Sequence, residues 1–335
     1  MKKEFIQNII FGLVVTLLTI IFAVFFIEND LGKSYASWKK DFSSSGDWYG
    51  TLIIPSKNKK MMWEYQPNYK TNIENLPTIE TNSLGFRDKK SRKNKKNINS
   101  RRISIIGDSI TLGYGNAFNE TISYILEEKL NRARTAEKIE VWNFGIDGYN
   151  TLQVEELLKS KVLQTDPDKV VYIMCLNDFD FEDSSGDKIK FFNPPRSFLY
   201  QKFENVYKKY TKQEFHHWHF SKNKKSVFQS ILRMNKILKN KDIPFEVVIL
   251  PAFTRTLISE KFEENDFFKD YYLKDIHLEI SKFLTDSKIG VIDMYPVFKE
   301  TGLAPFDVAH DVWHTTKKGN EIIATSIKRE ILNGF

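Results

Sequence analysis

Cysteine is nearly missing from this 335-residue chain: Cys175 stands alone. No internal disulfide can staple the fold, and the redox compartment stays open. Cys175 lies inside an apolar run and reads as a buried core residue. Metal-ligand patterns are as scarce. His216-His217-Trp218-His219 gathers three histidines on a Lys-rich stretch with no carboxylate or cysteine pattern beside them, so they read as surface residues. Asp178, Asp180, Glu182 and Asp183 have the acidic density of a calcium loop, but Asp183 stands where the sharp-turn glycine should be. A nucleic-acid motif is also lacking. The 50 Lys and Arg against 43 Asp and Glu leave a formal charge of +7, spread in short clusters. That is solvated surface, or a surface near anionic lipid or polymer. Hydrophobic residues at 41% and charged residues at 28% exclude a disordered chain. The length leaves room for one sizeable domain plus appendages.

One stretch lacks charge altogether. Ile9 to Ile27 (IIFGLVVTLLTIIFAVFFI) is apolar throughout, and as a helix it rises about 28 Å, close to the hydrocarbon thickness of a bilayer. A core helix would need a polar face. A cleaved signal peptide would need a small-residue cleavage site, which Phe26 to Asp30 does not offer. Residues 1–28 are therefore expected to be an N-terminal transmembrane anchor. Lys2 and Lys3 favour an inside N-terminus, whereas Lys33, Lys39 and Lys40 blur the count. Long domains are translocated largely regardless of charge, so the rest is expected on the extracytoplasmic side.

Residues 29–100 read as an extension and basic linker. Trp38, Trp48, Tyr49, Trp63, Tyr65 and Tyr69 show no clear periodicity, and Thr81 to Asp88 (TNSLGFRD) reads as a strand and turn packing the extension on the main domain. Lys89 to Arg102 carries eight Lys or Arg, a solvated linker by composition. From residue 101 the pattern alternates. Strand-like runs at 103–106, 139–142, 170–175, 245–250 and 289–293 are interleaved with helical patterns at 118–133, 151–163, 226–240, 267–284 and 317–332. Continuous apolar strands alternating with helices indicate a parallel sheet covered on both faces, a three-layer α/β/α domain over 101–335. The segment 179–225 breaks that rhythm. It would leave from the carboxyl edge of the sheet, to wall or lid a site, with Tyr200, Tyr207, Tyr210, Phe215 and Trp218 either stacking on sugar rings or building a satellite core.

The strand Ile103 to Ile106 runs into Gly107-Asp108-Ser109, at the edge where open α/β folds bind ligands. Alone, the tripeptide reads equally as a helix cap. Three further blocks follow later strands or precede the last helix: Asn143-Phe-Gly-Ile-Asp-Gly148, Leu176-Asn177-Asp178 and Asp311-Val-Trp-His314. Together the four resemble the signature blocks of the SGNH, or GDSL-type, hydrolases. The resemblance implies a flavodoxin-like domain with a five-stranded parallel sheet. It makes Ser109 the nucleophile, His314 its base and Asp311 the group that orients the base. Ser109, Gly148 and Asn177 become the oxyanion donors, and Asp108 supports the turn. No metal and no cofactor is implied.

The triad logic is physical, since a serine hydroxyl at neutral pH needs a base within hydrogen-bond reach and a third group to fix that base's tautomer. Two rivals stand: Gly145 for Gly148, and His310, whose Asp307-Val-Ala-His310 repeats the spacing. His314 is preferred because Thr315 to Ala324 resembles the family's continuation after its histidine. The expected function is that of a membrane-anchored serine esterase taking O-acyl, foremost O-acetyl, groups from a cell-envelope glycan. An O-acyltransferase, a lipase or lysophospholipase, and a non-catalytic glycan-binding protein stand beside it.

Overall fold

The computed structural model describes residues 2–44, 52–71, 77–88, 92, 96–97, 99–132, 137–181, 191–192, 195–211, 215–253 and 271–333. The chain divides into two compact units, Met1–Gly50 with Asn193–Gln213, and Thr51–Phe192 with Glu214–Phe335.

In the first unit, α1 (Lys2–Ser44) is one unbroken helix that contains the whole apolar run. The segment Ser197–Leu199 ends on it: the Glu28 carboxylate accepts from Ser197 Oγ at 3.2 Å, Phe198 N at 2.6 Å and Leu199 N at 2.9 Å.

The second unit opens with a hairpin, β1 (Ile53–Pro55) against β2 (Trp63–Tyr65). The sheet follows, formed by β3 (Ser100–Gly107), β4 (Lys138–Gly145), β5 (Lys169–Met174), β6 (Phe245–Ile249) and β7 (Gly290–Asp293). All its pairings are parallel and the order is β4-β3-β5-β6-β7. Counting sheet strands alone this is 2-1-3-4-5, the flavodoxin-like winding, with its switch point beside β3. The central strand β5 is buried at all six positions, which is why it reads as an unbroken apolar run.

The connections supply the outer layers. α2 (Ser109–Leu112) and α3 (Ile122–Asn131) follow β3, and α4 (Thr151–Ser160) follows β4. Later come α5 (Phe198–Thr211, in the first unit), α6 (Phe215–Lys239), α7 (Lys274–Asp286), α8 (Met294–Thr301), α9 (Pro305–Val308) and α10 (Lys317–Asn333). α3 packs with α10, and α4 with α6, as right-handed crossovers on a reversing strand order require. The five-stranded, three-layer arrangement expected from the pattern is the one observed.

Two departures matter. α6 begins at Phe215, eleven residues before the expected 226, and its first turns bury His219 and Phe220. His219 is thereby only 2% exposed, which corrects the surface position expected of it. The helix expected over 267–284 starts at Lys274 among the described residues, with 267–270 outside them.

The extension is divided: residues 29–50 fall in the first unit, with α1 running on to Ser44, and the part from Thr51 on belongs to the second. Lys70 pairs with Glu80 and Thr81 with Arg87 in short antiparallel bridges. Arg87 is 1% exposed, and its guanidinium donates to the carbonyls of Leu112 (3.0 Å), Gly113 (2.7 Å) and Asn116 (2.7 Å), the loop leaving α2. Burial lowers its pKa to about 10. Replacing Arg87 with Met leaves those carbonyls buried without a donor, a loss of about 2–4 kcal/mol. The expected result is a melting temperature lower by roughly 5–10 °C for Arg87→Met, with Arg87→Lys between, read by thermal unfolding of the full chain in detergent.

Candidate active site

β3 ends in Gly107, and Asp108 caps the short helix α2 by accepting from Ile110 N at 2.9 Å. Ser109 is the first residue of that helix, so its own N–H is one of the donors a helix start leaves over. Its hydroxyl lies 2.9 Å from His314 Nε2, and His314 Nδ1 lies 2.7 Å from Asp311 Oδ2. The other Asp311 oxygen accepts from the N–H groups of Trp313 and His314, each at 2.8 Å, locking the carboxylate under the ring. The sequence-expected Ser109, His314 and Asp311 thus meet in one line of hydrogen bonds, 205 residues apart in the chain at the first link.

The His314 loop is tied to the loop after Ser109 by two side-chain amides. Asn116 Nδ2 donates to Thr315 O at 2.8 Å, and Asn320 Nδ2 to Glu120 O at 2.8 Å. Tyr114 sets its ring 4.7 Å from that of His314. His310 takes no part in this line: its N–H donates to His314 O, its ring lies beside Gly115, and Asp307 instead accepts from Ala304 N.

The glycine question has a geometric answer in part. The N–H of Gly145 donates to Asn143 Oδ1 at 2.9 Å. Gly145 also lies against α2, where a Cβ would meet Leu112 N at 2.0 Å. It is a packing glycine with its donor in use. Gly148 lies in the turn between β4 and α4 with φ +78°, just before the Asn150 cap of α4, which accepts from Leu152 N and Gln153 N.

That turn is held by residues the sequence did not single out. Tyr65 Oη accepts from Asp147 N at 2.8 Å, and Trp63 Nε1 donates to Asp147 O at 3.3 Å. Tyr149 Oη in turn donates to Trp63 O. The hairpin of the extension therefore grips Asp147, the residue before Gly148, by both its N–H and its carbonyl. No sequence period could announce a contact spanning more than 80 residues.

Asn177 follows β5. Its Nδ2 donates to Asp108 Oδ2 at 3.1 Å and its Oδ1 accepts from Cys175 Sγ. The pair reads the amide's orientation: a flip would turn Oδ1 towards a carboxylate. Cys175 is buried, as expected of a core residue, and it also sets this amide. Asp178 is buried alongside, accepting from Cys175 N at 2.9 Å. Burial and the neighbouring Asp108 push its carboxyl well up.

The histidines of α6 do not converge. His217 meets Asp275 at 3.1 Å, His219 faces Asp180 at 3.4 Å, and His216 sets its ring edge-on to Trp313 at 5.1 Å. Burial, with His219 and His217 adding to it, lowers His216 to about 4, so it is neutral at physiological pH. Among the described residues no three acidic, His or Cys side chains gather as a metal site would need. Glu182 and Asp183 lie outside the described residues.

Burial opposes a charge on His314, but its bond to Asp311 and the carboxylates of Asp311, Asp108 and Asp147 outweigh that and raise its pKa above 6.5. Burial would raise Asp311, yet the hydrogen bond and charge of His314 hold it at about 2. A base must be neutral to accept the serine proton. Activity should therefore fall as pH drops through a midpoint above 6.5, measured as kcat/KM. Asp311→Asn removes the raising charge, so its acid limb should move to lower pH while kcat falls by about 10³–10⁴. Tyr65→Phe should lower kcat about 3- to 10-fold at unchanged KM by loosening the Gly148 turn. A role in packing alone would move the melting temperature and leave kcat in place.

Residues 105–322 match the family model described as GDSL-like lipase/acylhydrolase. Comparison with curated proteins gives no match. Among solved structures, a lipase/acylhydrolase from Enterococcus faecalis is similar at 18% identity, over 69% of this chain and 95% of that one, with a TM-score of 0.44. An acetylxylan esterase from Geobacillus stearothermophilus, in a catalytic mutant, is similar at 17% identity over 69% and 94%, with a TM-score of 0.45. An acetyl xylan esterase is similar at 16% identity over 69% and 99%, with a TM-score of 0.47. With the family model covering well over half of its length, this chain belongs to the GDSL-like lipase/acylhydrolase family of serine hydrolases.

Proposed function

We propose that the chain is a membrane-anchored esterase that removes O-acyl groups, foremost O-acetyl, from a cell-envelope glycan. The observation that carries the chemistry is the line Ser109–His314–Asp311 at the carboxyl edge of β3. Ser109 Oγ attacks the ester carbonyl as His314 Nε2 takes its proton. The negative charge then developing on the carbonyl oxygen is met by the N–H groups of Ser109 and Gly148 and by the second N–H of Asn177. Losing one such donor costs about 3 kcal/mol of transition-state stabilisation. Collapse expels the sugar hydroxyl, which takes the proton back from His314 and leaves an acyl-enzyme. Water, activated by the same imidazole, then releases the acid and restores Ser109.

The anchor and the substrate class rest on other features. α1 contains a stretch long and apolar enough to cross a membrane, and none of that stretch is buried. The helix continues unbroken to Ser44, past any point where a signal peptide would be cut. With one such span among the described residues and long domains translocated largely regardless of charge, the reading puts the Ser109 unit on the extracytoplasmic side. Tyr114 sets its ring beside that of His314, and Trp313, the residue before His314, packs edge-on to His216; such rings are surfaces suited to the flat face of a sugar.

The test uses the full chain in detergent micelles with O-acetylated glycan oligomers and p-nitrophenyl esters of increasing chain length. Acetyl release from the glycan, preference for short acyl chains, and a fall of about 10³-fold or more in Ser109→Ala support the reading. A preference for long-chain lipid esters without glycan deacetylation sinks the substrate class. Retained turnover in Ser109→Ala sinks the nucleophile. The same incubations, run with an unacetylated glycan as acceptor, separate hydrolysis from O-acyl transfer.

A further inference from the structure

The catalytic reading leaves α5 without a task. Its outward residues are unusual for a solvated helix: Tyr200 is 69%, Phe203 64% and Val206 46% exposed, with Arg196 and Lys202 exposed around them. Isolated apolar side chains on a surface need no explanation, but three at a helical spacing of three form a stripe. The position of this helix along α1 says what can cover that stripe.

Glu28 is the first charged residue after the uncharged run that ends at Ile27. If α1 spans a bilayer, Glu28 marks the level at which the chain leaves the hydrocarbon. The same carboxylate takes the N–H groups of Phe198 and Leu199 in the first turn of α5. Phe198 also sets its ring 5.1 Å from Tyr35 and within reach of Gly32 on the emerging part of α1. The start of α5 is therefore pinned to the boundary.

A helix rises 1.5 Å per residue, so Tyr200 lies at most about 3 Å and Phe203 about 7.5 Å from the level of Phe198 along the helix, whatever its tilt. The headgroup region beside the hydrocarbon is roughly 5–10 Å deep. Both residues thus lie within about 8 Å of the Phe198 level along the helix, a distance comparable with the depth of that layer. Tyr and Phe beside exposed Lys and Arg is the composition that this layer favours, apolar rings towards acyl chains and cations towards lipid phosphates.

We propose that the first turns of α5, through Tyr200 and Phe203, are seated in the headgroup layer of the bilayer that holds α1, a second membrane contact besides the span. The proposal rests on the reading of α1 as a membrane span, and the test separates the two. Single cysteines carrying a nitroxide at Tyr200→Cys and Phe203→Cys, and at Leu18→Cys within the apolar run, are compared in the full chain. The chain is reconstituted into phosphatidylcholine–phosphatidylglycerol vesicles, and accessibility to oxygen and to a water-soluble nickel chelate gives the depth. Buried Cys175, whose thiol burial pushes well up, stays unlabelled.

The expected result is a deep, oxygen-rich label at 18 and intermediate depths at 200 and 203. Bulk-water values at 200 and 203 with a deep label at 18 overturn the proposal alone. Labels at 200 and 203 shielded from both reagents also overturn it, in favour of a second copy of the chain on that face. A bulk-water value at 18 overturns the span reading and the proposal with it.

Discussion

The carboxyl edge of the sheet, where Ser109 meets His314, depends on one close backbone approach. The end of β4 lies so near α2 that only a residue without a side chain fits at 145. Asn143, two residues earlier, donates to Thr111 O at 2.8 Å and to Ser123 Oγ at 3.1 Å while accepting from Gly145 N. Strand end, α2 and α3 are fixed to one another by that amide. The distance between the Ser109 loop and the Gly148 turn follows, and neither loop needs to be stiff on its own. A bulkier residue at 145 would have to move α2, and with it the hydroxyl that His314 reaches.

Around this frame the charges are arranged unevenly. Asp311 is exposed enough, and bonded enough, to stay ionised, whereas Asp108 and Asp178 are both buried, and burial together with Asp108 raises the carboxyl of Asp178. Burial raises Asp108 against the opposing hydrogen bonds from Ile110 and Asn177 and the pull of His314. One carboxylate thus bonds the ring of His314 and another holds the amide of Asn177. Their different settings in the same few ångströms are what let similar side chains do different work.

Much of this was legible in the sequence, and the limits have physical causes. The strands are buried on both faces, so their apolar runs stood out, and the four blocks sit at the strand ends and the last loop, where the winding makes them converge. The choice of His314 over His310 followed from what comes after each, and the geometry places the ring of 314 at Ser109. What could not be read was the support. Trp63 and Tyr65 grip Asp147, Arg87 holds the loop after α2, and Cys175 bonds the Asn177 amide. The first two act across long sequence separations, and their residue types are as common in an ordinary core. His219 was misplaced for a related reason: three histidines among lysines look solvated until a helix turns one of them inward.

The grip of the extension has a consequence for how the molecule can be taken apart. Residues 52–88 precede the first strand of the sheet yet complete it, with Arg87 beneath the nucleophile loop and the hairpin over the Gly148 turn. A protease nicking the lysine-rich stretch after Asp88 would sever the covalent link without dissolving the unit. The two pieces would remain associated through buried contacts, as in fragment complementation, and a gene trimmed to its recognisable family segment would yield a partner lacking its other half.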